Sequence, residues 1–315
     1  MRFFPMRPVV QLLALLVLAI SADALGDAFF ETQDLAYGPN LEASAQGVGS
    51  IVQGAWIPLA NTNIGLTWIE SLRDTKLGTP IGSDSRFIRF NATGTVSPWY
   101  TMMQAVLGFR VLPRFEFAAV YQVSAYLNSN VRQALPSDSG GPSLRETWSE
   151  NYFFSHLYKN SPNGDLLQVF GGLWGLDLTN RFFRGGAEYH FYLVDVNSST
   201  KGKSLDYERM LPVDQRDFFF EVLYWSRFNL TQHCDWSVDL LYQQTGLQTK
   251  YFGEYAKESV QQVFAFTGPA WTLADGRFSL LTEAGYLWRP EKYETGSWAQ
   301  HVLFKVLWKG HWNLG

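Results

Sequence analysis

Across residues 217–229 and 235–243 apolar and polar side chains alternate with a period of two, the spacing of a β-strand whose two faces meet different surroundings. In the second stretch Trp236, Val238, Leu240 and Tyr242 fall on one face, with Ser237, Asp239 and Gln243 on the other. In the first, Phe218, Phe220, Val222, Tyr224 and Phe228 oppose Glu221, Arg227 and Asn229. The polar link Leu230-Thr231-Gln232-His233-Cys234 joins them, so the pair predicts a hairpin with one oily, aromatic face and one wet face. Several such hairpins closed into a ring would turn the aromatic face to lipid and the charged face to a polar interior.

The same alternation recurs along the chain. Residues 46–57 and 64–71 predict a hairpin about a polar turn at 58–63, and a weaker strand pattern at 27–37 ends in the break Gly38-Pro39-Asn40. Residues 99–112 and 115–127 flank Leu112-Pro113-Arg114, with Phe115, Phe117, Ala119, Tyr121, Val123 and Ala125 opposed to Glu116, Gln122 and Ser124. Residues 166–178 and 181–194 flank Thr179-Asn180, setting Phe183, Ala187, Tyr189, Phe191 and Leu193 against Arg184, Glu188 and His190. The Asp275-Gly276 turn between 259–273 and 277–289 is a strong hairpin signal. A last strand at 299–309 sets Val302, Phe304, Val306 and Trp308 against His301, Lys305 and Lys309.

Residues 73–97, 128–165 and 197–215 read as long polar connections, although 86–90 extends the strand pattern locally. The sum is about twelve strands, with short links near 60, 113, 180, 232 and 275 alternating with longer ones near 80, 145, 205, 252 and 293. Counting 86–96 and 148–159 as strands too gives about fourteen but breaks that alternation. The fold class predicted is therefore all-β, a single transmembrane antiparallel β-barrel of about twelve strands.

Composition sharpens this reading. Aromatic residues make up 16% of the chain, more than an ordinary soluble domain needs, and a large aromatic-rich β surface is the simplest container for them. A net charge of -4 supplies no electrostatic footprint for nucleic acid. The single Cys234 excludes an internal disulfide framework, and its neighbour His233 has no ligand cluster around it, so no metal or cofactor is expected. The matches Asn91-Ala92-Thr93, Asn197-Ser198-Ser199 and Asn229-Leu230-Thr231 to the glycosylation acceptor pattern keep a secreted eukaryotic protein open as an alternative.

Residues 1–24 read as an address. Arg2 and Arg7 precede an apolar run at 9–20, and Ala22-Asp23-Ala24 offers small residues for cleavage before Leu25. A retained anchor is the alternative, but the run is short for a bilayer span. No later stretch is long and apolar enough for a spanning helix, so residues 25–315 must cross a membrane, if they do, with strands.

Leader, even-numbered alternating hairpins, aromatic strand ends and an amphipathic last strand together resemble a Gram-negative outer-membrane β-barrel protein over nearly all of residues 25–315. Such proteins often end on an aromatic residue read by the barrel-insertion machinery, whereas this chain continues past Trp308 to Gly315, which makes Trp312 a second candidate for that role. The resemblance implies a place in the outer membrane, contact with its lipid and insertion by that machinery.

Four functional readings fit the pattern. A channel for small polar solutes would be lined by the inward positions Arg110, Glu116, Arg184, Glu188, His190, Glu221, Arg227, Asp239, Arg277, Glu283 and Lys305, with 128–165 and 197–215 shaping entry. The same residues, carrying both signs, could pair across the interior and only stabilise it. An enzyme needs a nucleophile and a base: Ser155 and His156 are adjacent and would point to opposite faces of a strand, while Glu188 and His190 share a face, and no established catalytic motif accompanies either pair. A secreted β protein stacking sugars on exposed aromatics is the soluble alternative.

Overall fold

Alternation at period two gives a sheet with two unlike faces, and in this chain the sheet closes on itself. The computed structural model describes residues 35–52, 55–97, 100–126, 166–197, 204–206, 211–213, 216–244, 261–273, 277–288 and 301–314. Its strands are β1 (Gly38–Val52), β2 (Ala55–Ser71), β3 (Phe87–Val96), β4 (Tyr100–Leu112), β5 (Phe115–Tyr126), β6 (Leu166–Asp177), β7 (Phe183–Asn197), β8 (Ser204–Asp206), β9 (Leu211–Val213), β10 (Arg216–Thr231), β11 (Cys234–Gln244), β12 (Gln261–Leu273), β13 (Phe278–Trp288) and β14 (His301–Asn313). All but the short pair β8 and β9 form a closed barrel of twelve antiparallel strands. The ring is completed by β14 on β1, with Asn313 opposite Asn40 and Val302 opposite Ile51.

Barrel strands run from 10 residues in β3 to 17 in β2, long enough for the roughly 9 to 11 that a tilted strand needs to cross hydrocarbon. Outward positions carry the oily side chains. On β2, Ile64, Leu66 and Trp68 are 62%, 51% and 45% exposed, while the alternate Asn61, Asn63, Thr67 and Ile69 are buried. Phe117 and Tyr121 on β5, Phe170 and Trp174 on β6, Tyr189 and Phe191 on β7, Trp236 and Leu240 on β11, and Phe304 and Val306 on β14 continue the exposed band. An apolar surface that encircles the molecule is unsuited to water and suited to lipid.

The twelve strands differ from the sequence expectation at the start of the chain. Residues 35–37 lie outside the barrel strands, with an isolated bridge from Ala36 to Pro80, and the rest of the strand expected at 27–37 lies outside the described residues. The expected turn at 58–63 is instead inside β2. Its asparagines face the interior, where polarity marks a lining and not a bend. Residues 87–96, expected as part of a loop, form β3, with Phe87, Arg89 and Thr95 buried in alternation. One strand lost and one gained leave the count at twelve. The segment 148–159 lies outside the described residues.

These shifts change the connections near the start. One end of the barrel carries the links 53–54, 97–99, 127–165, 198–215, 245–260 and 289–300; the other carries 72–86, 113–114, 178–182, 232–233 and 274–277. The longer connection 72–86 therefore sits among the short turns. It folds against residues 35–37, Ile81 N–H donating to the Leu35 carbonyl at 2.9 Å and Tyr37 N–H to that of Thr79 at 3.0 Å. Leu35, Tyr37, Ile69, Ile81 and Phe87 form a buried apolar cluster there. The neighbouring turn is tied in as well: Arg114, at φ 65°, donates its N–H to the Ser83 carbonyl.

The facing assignment is testable at Leu240, which is 44% exposed on β11. Leu240→Arg should cost about 2–4 kcal/mol if the residue meets lipid near the midplane. Denaturant titration in vesicles measures it, and a negligible loss would show that this face is not in hydrocarbon.

Candidate functional site

Inward positions converge on the barrel interior, where most of the buried charges among the described residues meet in three groups. In the first, Glu116 on β5 takes Arg110 Nη2 on Oε2 at 3.2 Å, and Arg89 Nη2 on β3 approaches Oε1 at 2.7 Å, out of line for a hydrogen bond but close in charge. Arg110 also faces Asp177 at 3.9 Å and lies over the Phe87 ring at 4.9 Å. Arg89 and Glu116 reach each other across β4 because Gly108 lies between: a Cβ there would fall 2.7 Å from Glu116 Oε1.

The second group is centred on His190. Its Nε2 lies 3.0 Å from Glu188 Oε2 and its Nδ1 3.2 Å from Glu221 Oε2, with the Tyr192 hydroxyl also 3.2 Å from Nδ1. Direct pairing of Glu221 with His190 across β10 and β7 sets this geometry. Gln243 Nε2 donates to Glu221 Oε1 at 2.5 Å, and Gln262 Nε2 to Gln243 Oε1 at 2.6 Å. Both imidazole nitrogens are thus turned to carboxylates, which leaves neither free to act as base toward a substrate.

In the third group Arg227 Nη1 donates to Asp239 Oδ1 at 2.5 Å, and Lys305 Nζ lies 3.5 Å from Asp239 Oδ2 and 3.3 Å from Glu283 Oε2. Ser237 Oγ donates to Glu283 Oε1 at 2.5 Å across β12, where Gly268 leaves the space; a Cβ at Gly268 would lie 2.8 Å from the Glu283 Cα. Lys305 reaches Asp239 from β14 to β11, past two intervening strands.

Of the sequence candidates, Arg110, Glu116, Glu188, His190, Glu221, Arg227, Asp239, Glu283 and Lys305 are buried inside the barrel within these groups. Arg184 stands apart near the short-turn end, partly exposed and ion-paired with Asp235. Arg277 is exposed in the turn before β13. Among the described residues no group of His, Cys, Asp or Glu is arranged to hold a metal ion, and Ser155 and His156 lie outside them.

Arg89 is not among the sequence candidates because residues 73–97 read mainly as a connection, although 86–90 carries the strand pattern. Sequence reasoning also passed over the apolar part of the interior. Leu223, Trp225, Leu241, Phe264, Phe266, Leu287 and Leu303 form a buried cluster on inward positions, with Arg227 5.8 Å from the Trp225 ring and Lys305 5.5 Å from that of Phe266. Several large interior rings occupy the space beside glycines of the next strand: Tyr192 at Gly171, Trp225 at Gly186 and Phe266 at Gly285.

No protein-family model matches the chain, and no curated protein matches it in sequence. Among solved structures it is similar to an outer membrane channel from Pseudomonas putida F1 (7% identity, TM-score 0.46, 91% of this chain and 100% of that one). It is also similar to the β domain of the Bordetella autotransporter BrkA (7%, 0.44, 87% and 100%) and the translocator domain of the autotransporter NalP from Neisseria meningitidis (10%, 0.38, 97% and 95%). These likenesses are low, and the weight falls on the chain's own geometry. A closed antiparallel ring with an oily exterior and charge sequestered inside makes the chain a transmembrane β-barrel of the outer-membrane kind.

Proposed function

We propose that the chain is a narrow channel for small polar solutes in the outer membrane of a Gram-negative bacterium, delivered there by a cleaved leader and the barrel-insertion machinery. The observation that supports this reading is the lie of the interior side chains. Arg89, Glu116 and Lys305 reach their partners around the circumference, and Tyr192, Trp225 and Phe266 occupy the space beside glycines, so bulk is laid along the wall. Barrels of about eight strands are filled by their side chains and those of about sixteen hold a water channel, so in between the direction of the side chains decides how much bore remains. Interior charges of both signs favour solutes without net charge over ions of one sign.

A closed, structural barrel is the second reading, and one observation favours it: Arg110, Glu116, Asp239 and Lys305 are each 1% exposed or less. Planar-bilayer recording of the refolded protein separates the two. Discrete conductance steps support the channel. A protein whose gel mobility shifts on heating, and which inserts but stays electrically silent, overturns it.

Two substitutions extend the test. Arg227→Glu should shift an open channel toward cation selectivity, read as a change in reversal potential under a salt gradient; in a closed barrel it changes stability alone. Glu116→Ala removes the carboxylate that Arg89 and Arg110 share in the interior and should lower stability by about 3–5 kcal/mol, measured by denaturant titration.

A further inference from the structure

The connection from β2 to β3 is longer than its hairpin requires. Leu72 N–H donates to the Arg86 carbonyl at 3.0 Å, in register with Ser71 opposite Phe87, so the two strands are still paired where the connection begins. A two-residue turn closes such a pair, and the β4–β5 and β10–β11 hairpins at the same end of the barrel have one at 113–114 and 232–233. Residues 73–85 therefore serve something besides the turn.

These residues fold back as a strap under the barrel. On one side they are clasped to residues 35–37: Gly78 N–H donates to the Tyr37 carbonyl at 2.8 Å, beside the bonds from Tyr37 to Thr79 and from Ile81 to Leu35. Asn40 fixes the clasp to β1, its Oδ1 accepting from Ala36 N–H at 3.1 Å and its Nδ2 donating to the Ala36 carbonyl at 2.8 Å. Gly38, at φ 102°, supplies the left-handed turn that carries the chain from beneath the mouth into β1. On the other side Ser83 accepts from Arg114 N–H, and the Arg114 carbonyl accepts from Asp177 N–H at 2.7 Å. The strap so spans the feet of β1 to β6.

It also reaches inside the ring. Ile69 and Phe87 are inward positions on β2 and β3, and Leu35, Tyr37 and Ile81 are buried against them. Above these apolar side chains the interior holds open space. Glu42 points inward from β1, yet its side chain is 32% exposed, and the inward Ser44 on β1, Asn91 and Thr93 on β3 and Gln104 on β4 are partly exposed as well. A run of hydrogen bonds lines this space: Thr93 Oγ1 to Asn91 Oδ1 at 2.8 Å, Asn91 Nδ2 to Thr67 Oγ1 at 2.7 Å and Thr67 Oγ1 to Glu42 Oε1 at 2.6 Å. On the opposite side of the ring every inward side chain of β10 from Asp217 to Arg227 and of β11 from Asp235 to Gln243 is buried. Space and strap thus share one side of the barrel, with the strap across its foot.

We propose that residues 73–85, clasped by 35–37, are the constriction of the channel: a strap across the short-turn mouth, filled by Leu35, Tyr37 and Ile81, that sets the largest solute able to pass between that mouth and the polar space above it. This deepens the channel reading and rests on it. A pore narrowed at one end selects by size at that end alone.

Polyethylene glycols of graded size, added to one side of a planar bilayer at a time, locate such a constriction. A polymer that fits the interior space but not the strapped mouth should lower the single-channel current of the native chain from the long-loop side only. Closing the β2–β3 hairpin with Asn-Gly in place of residues 73–85 should raise conductance, abolish that asymmetry and keep the heat-dependent gel shift of a folded barrel. Tyr37→Ala combined with Ile81→Ala, which empties the mouth and leaves the backbone path intact, should move the size limit in the same direction and serves if the shortened chain does not fold.

The outcomes separate the strap from the channel. A silent native protein whose shortened form conducts upholds the strap and removes the open channel. Equal conductance in native and shortened chains, with equal polymer limits from both sides, upholds the channel and removes the strap. Silence in both forms overturns both, the packed interior then closing the barrel unaided.

Discussion

In hydrocarbon an unpaired peptide group costs several kcal/mol, and that cost governs everything else in this barrel. A twelve-stranded sheet left open would present two bare edges, one on β1 and one on β14. Their pairing over most of both strands removes both edges at once. Closure then dictates polarity. The outer face takes aromatic and aliphatic side chains because it meets lipid, and whatever cannot sit in lipid is confined to a limited interior where groups must satisfy one another. β3 is part of the same logic, since without it the ring would be odd in number and β2 and β4 would have to run parallel.

Confinement explains how the interior charges are arranged. A buried ion demands an opposite charge and further hydrogen bonds, and a missing partner costs more than the pair gains. Glu116 meets two arginines, Asp239 an arginine and a lysine, and His190 two carboxylates. Such satisfaction needs reach as well as complementarity, and Gly108 and Gly268 supply it by clearing the wall between strands that do not touch. Hydrogen bonding is not complete in either the charged or the neutral parts of the interior: Arg110 Nε, Glu283 Oε2 and the Gln46 amide are buried without a hydrogen-bond partner.

Much of this was legible in the chain and some was not, for identifiable reasons. From β4 onward period-two alternation located every barrel strand, because aromatic residues on one face and charge on the other are an unambiguous pair of signals. The first strands were harder. Asn61, Thr62 and Asn63 have the composition of a turn, and only the wet interior makes them strand residues. Arg89 and Asn91 look like loop for the same reason. Phe219, Leu223, Trp225 and Phe266 point inward against the simple division into oily outside and wet inside. Their facing depends on glycines of the next strand, a relation between residues far apart in sequence that no local window contains. The unmet amide of Gln46 is likewise a property of its neighbours in space.

That relation between rings and glycines has a consequence for how such a chain can change over evolutionary time. Gly171, Gly186 and Gly285 each accommodate a specific ring from an adjacent strand, with no room for a Cβ. Within each couple neither residue drifts alone: enlarging the glycine is tolerated only after the ring has shrunk or turned, and a ring lost from the couple frees its glycine to vary. Among related chains, position 171 should therefore covary with 192, 186 with 225, and 285 with 266. Lipid-facing neighbours on the same strands, free of such couples, should exchange one oily residue for another independently.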